Sequence, residues 1–197
     1  MTTVRGGEGS RVLPRPTSGR FVLRPVDPED GAQVTLIHRW MNAPHVVAYW
    51  QTALPREGIR DYLRVEAARA HSRPFLAELR PASEPVAGEP VGYLELYRAD
   101  LDPLASHYDF RADDLGIHLL IGAVEQTGRG LGTALIAAAR DALLAGHPES
   151  SRVVAEPDVR NAASLRAFAA AGFEHRGELT LPDKTAALMV FDRKDAS

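Results

Sequence analysis

The 197-residue chain contains no cysteine, and of its 23 basic residues only Lys184 and Lys194 are lysine. The first absence removes a disulfide framework, a cysteine–zinc site, an iron–sulfur cluster and a cysteine nucleophile together. Imidazole ligation fares no better, because the seven histidines are scattered with no His-x-x-x-His pair, so no metal is expected. Charge of one sign is also lacking: 23 basic against 26 acidic residues leave a net −3, which supplies neither a nucleic-acid footprint nor a membrane-surface patch. No apolar run approaches the roughly 18 residues of a membrane span, and the N-terminus lacks the apolar core of a secretion signal. These absences lead to a cytoplasmic protein with a small-molecule partner; a monomer or homodimer is expected, which the sequence does not decide. The length suits one domain with a sizeable core.

What is present is concentrated in residues 114–133, DLGIHLLIGAVEQTGRGLGT. Leu115, Ile117, Leu119 and Ile121 alternate with Gly116, His118, Leu120 and Gly122, the period-2 pattern of a strand packed on both sides and least crowded where the glycines lie. His118 falls on the glycine-bearing face. Gly128, Gly130 and Gly132 then precede apolar residues at helical spacing, Leu135, Ile136, Ala139, Leu143 and Leu144. Unpaired N–H groups at such a helix start, together with the helix dipole, attract a phosphate, and missing side chains let it approach the backbone. A P-loop would need Lys-Ser or Lys-Thr after the last glycine, and the dinucleotide fingerprint needs a different third-glycine offset.

Along the chain, residues 1–20 carry no apolar periodicity and read as a mobile tail, with 194–197 a second tail around a domain at 21–193. A short strand at Phe21 leads to a turn and a helix reaching about Met41. The segment 40–50 then gathers Trp40, Asn42, His45, Tyr49 and Trp50 around Pro44, read as a helix-ending proline; this is either core or an apolar wall with polar tips. A second helix spans about 55–70, with Ile59, Tyr62, Leu63 and Glu66 at helical spacing, and strands near 75–79 and 91–97 form a hairpin across a loop at 81–90. Alternation sets Tyr93, Glu95 and Tyr97 on one face and Leu94 and Leu96 on the other. The polar face is either solvated or the wall of a pocket for a cationic amine, with His107 and Tyr108 in the following loop. A strand at 152–158, in which Glu156 is a pre-proline residue, leads to a helix capped by Asn161 and stopped by Gly172, then to two strands joined by a turn at 182–184.

The order of strand, Gly-Arg-Gly-Leu-Gly-Thr loop, helix, strand, Asn-x-x-Ser helix and Ala-Gly-Phe resembles the GCN5-related N-acetyltransferase (GNAT) superfamily over roughly residues 21–193. The resemblance implies a single α/β (α+β) domain, with a mixed, mostly antiparallel twisted sheet, helices on both faces and a cleft where two strands splay. It implies that acyl-coenzyme A lies along Leu120, Gly128, Arg129, Gly130, Leu131, Gly132 and Thr133, assisted by Asn161 and near Phe168. Thr127 departs from the family's Arg or Gln, and Phe168 stands where many members have a tyrosine acid. Trp40-Met-Asn-x-Pro-His, Gly92-Tyr-Leu-Glu-Leu-Tyr, Ser106-His-Tyr, Asp114-Leu-Gly-Ile-His and Asp158-x-Arg-Asn resemble the siderophore-biosynthesis branch. That branch implies His118 and Asp158 as the catalytic pair. It also implies transfer from acetyl- or succinyl-CoA to a lysine- or cadaverine-like amine, in particular an N-hydroxylated one. Aminoglycoside 6'-N-acetyltransferases share part of the framework, and a non-catalytic acyl-CoA-binding domain is a third reading.

In the acyltransferase reading, His118, with an ordinary pKa near about 6.5, accepts the amine's proton. Asp158 orients the imidazole or holds the acceptor nitrogen, and an amide around Leu120 donates to the thioester oxygen.

Overall fold

A computed structural model describes residues 20–50, 52–80 and 88–193. The expected tails at 1–20 and 194–197 and the expected loop at 81–90 lie, apart from Arg20 and residues 88–90, outside the described residues. Seven strands form one sheet in the order β1-β2-β3-β4-β5-β7-β6: β1 Phe21–Pro25, β2 Ser72–Leu79, β3 Glu89–Arg98, β4 Leu115–Ile121, β5 Arg152–Ala155, β6 Glu174–Thr180 and β7 Thr185–Asp192. Only β4 and β5 run parallel; the other neighbours are antiparallel. Helices cover both faces, as the apolar alternation of the strands requires. Among the described residues no helix is long and apolar enough to cross a membrane.

One face packs against α4 (Leu131–Gly146) and α5 (Ala162–Ala170) through Phe75, Leu94, Leu96 and Ile117. Leu135, Ile136 and Leu143 of α4 are at most 1 % exposed, each contributing about 1.5–3 kcal/mol by burial. The other face carries Leu76, Tyr93 and Leu120 under α1 (Gly31–Met41), α2 (Pro44–Trp50) and α3 (Arg56–Ala68). The side chain of Asp30 caps α1 by accepting from Ala32 and Gln33, and Asn161 caps α5 by accepting from Ser164 N at 3.0 Å. Pro44 follows the end of α1, as the sequence suggested, and also opens α2: a proline at a first helical position sacrifices no hydrogen bond, and its fixed φ suits the turn.

The sheet splits where the chemistry is expected. The parallel ladder joins Leu115 to Val153 and Gly116 to Val154 and goes no further. Beyond Ala155 the chain stays with β7: Pro157 O accepts from Ala187 N at 2.9 Å and Asp158 bridges Ala186. Strand β4, meanwhile, runs on to Ile121 beside β3 alone, leaving a gap open through the sheet. The expected strand at 152–158 is therefore shorter by its last three residues, and those three border the gap.

Gly116 of β4 and Gly122 just beyond its end are crowded, contrary to the sequence expectation. A Cβ on Gly116 would stand 2.1 Å from Tyr97 Cζ, and one on Gly122 would stand 2.1 Å from Trp40 Cε2. Aromatic rings fill the space that the missing side chains release.

Candidate active site

A cleft of about 790 Å³ passes through the gap, bordered by β4, the glycine loop, the start of α5, α2 and the β6–β7 turn. At its phosphate-loop end, Gly128 has φ +69° and Gly130 φ +77°, with no atom within 4 Å of where either Cβ would stand. Gly130 is the N-cap of α4 and supplies no side-chain cap, so the first amides of the helix are free to bind. Gly128, Gly130, Gly132, Thr133, Asn161 and Phe168 line the cleft as the sequence suggested, whereas Leu131 turns into the core and Arg129 is outside the lining. These open, helix-starting glycines fit a coenzyme A pyrophosphate.

Backbone parity revises the thioester contact. Asp114 O accepts from Ala99 N at 2.8 Å and Gly122 N donates to Val91 O at 2.9 Å. Even-numbered residues of β4 thus direct their peptide groups at β3, and alternation turns the N–H of Leu119, not Leu120, toward the gap. Ile121 O, on the same open side, lies 3.1 Å from His45 Nε2.

At the other end His118 is clamped. Its Nδ1 is 3.0 Å from Glu95 Oε2 and its Nε2 is 2.5 Å from Glu156 Oε1. Both nitrogens meet a carboxylate, which only the doubly protonated ring satisfies with two donors. Burial alone would push the imidazole pKa down, but Glu156 and Glu95 outweigh it and raise it to about 10. Glu156, which burial would raise, is held down to about 2 by the His118 charge, with help from Lys184 and Tyr97. Glu95 is also held below its ordinary value, against burial, by His118 and the hydroxyls of Tyr62 and Tyr93. Both carboxylates are buried, whereas the His118 side chain keeps 34 % exposure toward the cleft. The free-base role expected of His118 therefore gives way to that of a held cation.

Several expected site residues take other positions. Asp158 lines the cleft but pairs with Arg160, at 2.6 Å between Oδ2 and the guanidinium, and His118 takes Glu156 instead. Glu95 is enclosed by Tyr62, Tyr93 and His118 and so does not face a cationic substrate; Tyr93 OH donates to its Oε1 at 2.8 Å. Tyr97 OH donates to Glu156 Oε2 at 2.9 Å. Trp50 lines the cleft with its ring edge-on to both Tyr93 and His118. Trp40 is buried against Gly122, and Asn42 Nδ2 donates to His38 O and Leu54 O as a helix-end clasp. His107 is exposed, and Tyr108 donates to Asp114, which Arg152 also holds; neither residue borders the cleft. That buried Arg152–Asp114 pair anchors the entry to β4. Sequence reasoning missed Glu156, Tyr62 and Lys184 as site residues.

Residues 30–181 match the family described as Acetyltransferase (GNAT) domain. The sequence is 30% identical over 200 residues to the lysine N-acyltransferase MbtK of Mycobacterium sp. (strain MCS), covering 100% of this chain and 78% of that protein. It is 30% identical over 169 residues to the N-hydroxyputrescine acetyltransferase of Acinetobacter baumannii, covering 86% and 74%. The crystal structure of aminoglycoside acetyltransferase AAC(6')-Ib in complex with coenzyme A matches with TM-score 0.73 at 29% identity, covering 88% of this chain and 95% of that one.

Proposed function

Because the chain belongs to the GNAT acetyltransferase family, we propose that it transfers an acetyl, succinyl or related acyl group from coenzyme A to a lysine- or cadaverine-like, N-hydroxylated amine. The product is a siderophore hydroxamate, made in the cytoplasm by a single domain at 21–193 without a metal. The observation that carries this reading is His118 held as a cation between Glu95 and Glu156 at the wall of the splayed gap. An ammonium acceptor would need a free base, which this ring is not; a hydroxylamine is largely uncharged at neutral pH and needs positioning more than deprotonation.

Acyl-CoA, when bound, supplies the acyl group as a thioester whose sulfur departs as a thiolate. The amides of Gly130 to Thr133 hold its pyrophosphate, and the Leu119 amide faces the acyl oxygen. Overall, one proton leaves nitrogen and one ends on sulfur. Phe168 cannot supply it; with both nitrogens of His118 and both oxygens of Glu156 engaged, the proton passes from nitrogen to the departing sulfur directly or through solvent, and the clamped pair acts through its fixed charges. Asp158, fixed by Arg160, holds the acceptor nitrogen, and Trp50, Tyr49 and His45 wall the acceptor end.

The aminoglycoside alternative draws on the likeness to AAC(6')-Ib. A polycationic sugar calls for unpaired acids at the cleft, whereas Glu95, Glu156 and Asp158 each already face a cation. Thiol release from acetyl- and succinyl-CoA, measured with N-hydroxylysine, N-hydroxycadaverine and kanamycin, tests the reading. Turnover with the hydroxylamines is expected; turnover with kanamycin alone would reverse the assignment, and coenzyme A binding with no turnover in any arm would leave a binding domain.

A further inference from the structure

Lys184 is the sole lysine among the described residues, and the acyl transfer outlined above gives it no task. It belongs to the turn between β6 and β7, closed by Leu181 N donating to Lys184 O at 2.9 Å. Its side chain is 16 % exposed and lines the cleft that holds His118. The ammonium lies 3.6 Å from Glu156 Oε1, too far for a hydrogen bond. Lys184 helps keep Glu156 ionised through its charge, but the hydrogen bonds to the two Glu156 oxygens come from His118 and Tyr97. Among the described residues, none of the three N–H donors of Lys184 is engaged in a hydrogen bond.

Arg160 and His118, the other cations nearest the acceptor end, are committed. Arg160 grips both oxygens of Asp158, and both nitrogens of His118 meet carboxylates. Arg166 is exposed on α5 beside Ala167, which packs toward Gly132 at the phosphate-loop end. The deep cluster is balanced, two carboxylates against the imidazolium and the ammonium, and Asp158 balances Arg160. The unused N–H donors of that ammonium can hydrogen-bond a carboxylate that reaches them without displacing an existing partner.

Given the acyltransferase reading, on which this rests, we propose that Lys184 binds a carboxylate of the substrate pair, carried either by an amino-acid acceptor or by the far end of a dicarboxylic acyl group. Diamine acceptors would instead bring a second ammonium up to Lys184.

Two comparisons separate the sources of that carboxylate. One sets N-hydroxylysine against N-hydroxycadaverine with acetyl-CoA; the other sets succinyl- against acetyl-CoA with N-hydroxycadaverine. In K184M, the ratio of kcat/KM for the carboxylate-bearing member to that for its carboxylate-free counterpart should fall about tenfold to a hundredfold, through KM, in one of the two comparisons. K184R should restore most of it, because the charge returns. A ratio unchanged in both comparisons, or equal loss for both members of each, would overturn the inference and leave Lys184 as a counter-charge to Glu156. Calorimetric binding of lysine against cadaverine to the coenzyme A-loaded protein, and of succinyl- against acetyl-CoA, reads the same discrimination without turnover. Absent turnover with an intact binding difference would therefore sink only the acyltransferase reading.

Discussion

Replacing Glu156 by glutamine tests the central electrostatic statement while keeping the shape of the site. Glutamine can still accept from His118 Nε2, but it carries no charge. In the intact protein the His118 pKa stands at about 10. A unit charge about 4 Å away at an effective dielectric of about 20 is worth about 4 kcal/mol, or about three pH units of proton affinity. Water reaches the 34 % of the ring that is exposed, and that screening reduces the effect to about two pH units. E156Q should therefore titrate at about 8, still above the ordinary histidine value because Glu95 remains. Imidazole carbon and nitrogen shifts followed by NMR between pH 5 and 11 read this directly, and kcat/KM should fall about a hundredfold. Titration of the wild-type ring near its ordinary value, or an identical curve for E156Q, would refute the clamp.

Stability should depend on pH at both ends. Because the His118 pKa is raised from 6.5 to about 10, its contribution is complete below the lower value and is lost as pH rises through about 10; because Glu156 is lowered from 4.5 to about 2, its contribution is complete above 4.5 and is lost as pH falls through about 2. Urea midpoints of wild type and an H118N/E156Q variant should accordingly differ most between about pH 5 and 6.5 and converge toward both extremes. G116A forces a methyl into the Tyr97 ring and should cost about 1–3 kcal/mol in urea unfolding. G130A meets no atom but sits at φ +77°; it should cost about 1–2 kcal/mol of stability and weaken coenzyme A about tenfold by calorimetry. With N-hydroxycadaverine, kcat/KM should be flat between about pH 7 and 9, whereas with cadaverine it should rise about tenfold per pH unit toward the amine pKa near about 10.4.

The parts of this protein visible in the sequence are those governed by local pattern. Alternation set Tyr93, Glu95 and Tyr97 on one face of β3 and His118 on the glycine-bearing face of β4, and glycines ahead of an apolar helix marked the phosphate loop; each needs only near neighbours in the chain. Glu156 escaped because its role depends on register between strands far apart in sequence. Gly116 pairs with Val154, so two residues further along each strand His118 meets Glu156. Without the pairing, the Asp-x-Arg-Asn signal favoured Asp158, two residues beyond, which Arg160 occupies. Tyr62 escaped for a related reason: its helical spacing identified the buried face of α3, but not that the face ends on Glu95. Tyr108 was misleading in the opposite sense, since a polar aromatic beside a histidine suits a substrate wall as well as it suits the buried Arg152–Asp114 pair that it supports.

The charge clamp and the open cleft share one structural origin. Pro157 keeps Glu156 extended, so its side chain stays on the face of Val154, which lies opposite Gly116. Gly116 lacks a side chain because the Tyr97 ring lies over it, and the Tyr97 hydroxyl in turn fixes Glu156. Glu156 then faces His118 where β5 has left β4 for β7 and the gap begins. The charges deep in the site are thereby satisfied by one another, and a cationic acceptor gains little there by Coulomb attraction. Discrimination among acceptors must then arise from groups whose hydrogen bonding is incomplete. Of the cations lining the acceptor end, Lys184 alone has that property among the described residues, which is why the identity of the substrate's far end, rather than its reacting nitrogen, is what this cleft is best equipped to read.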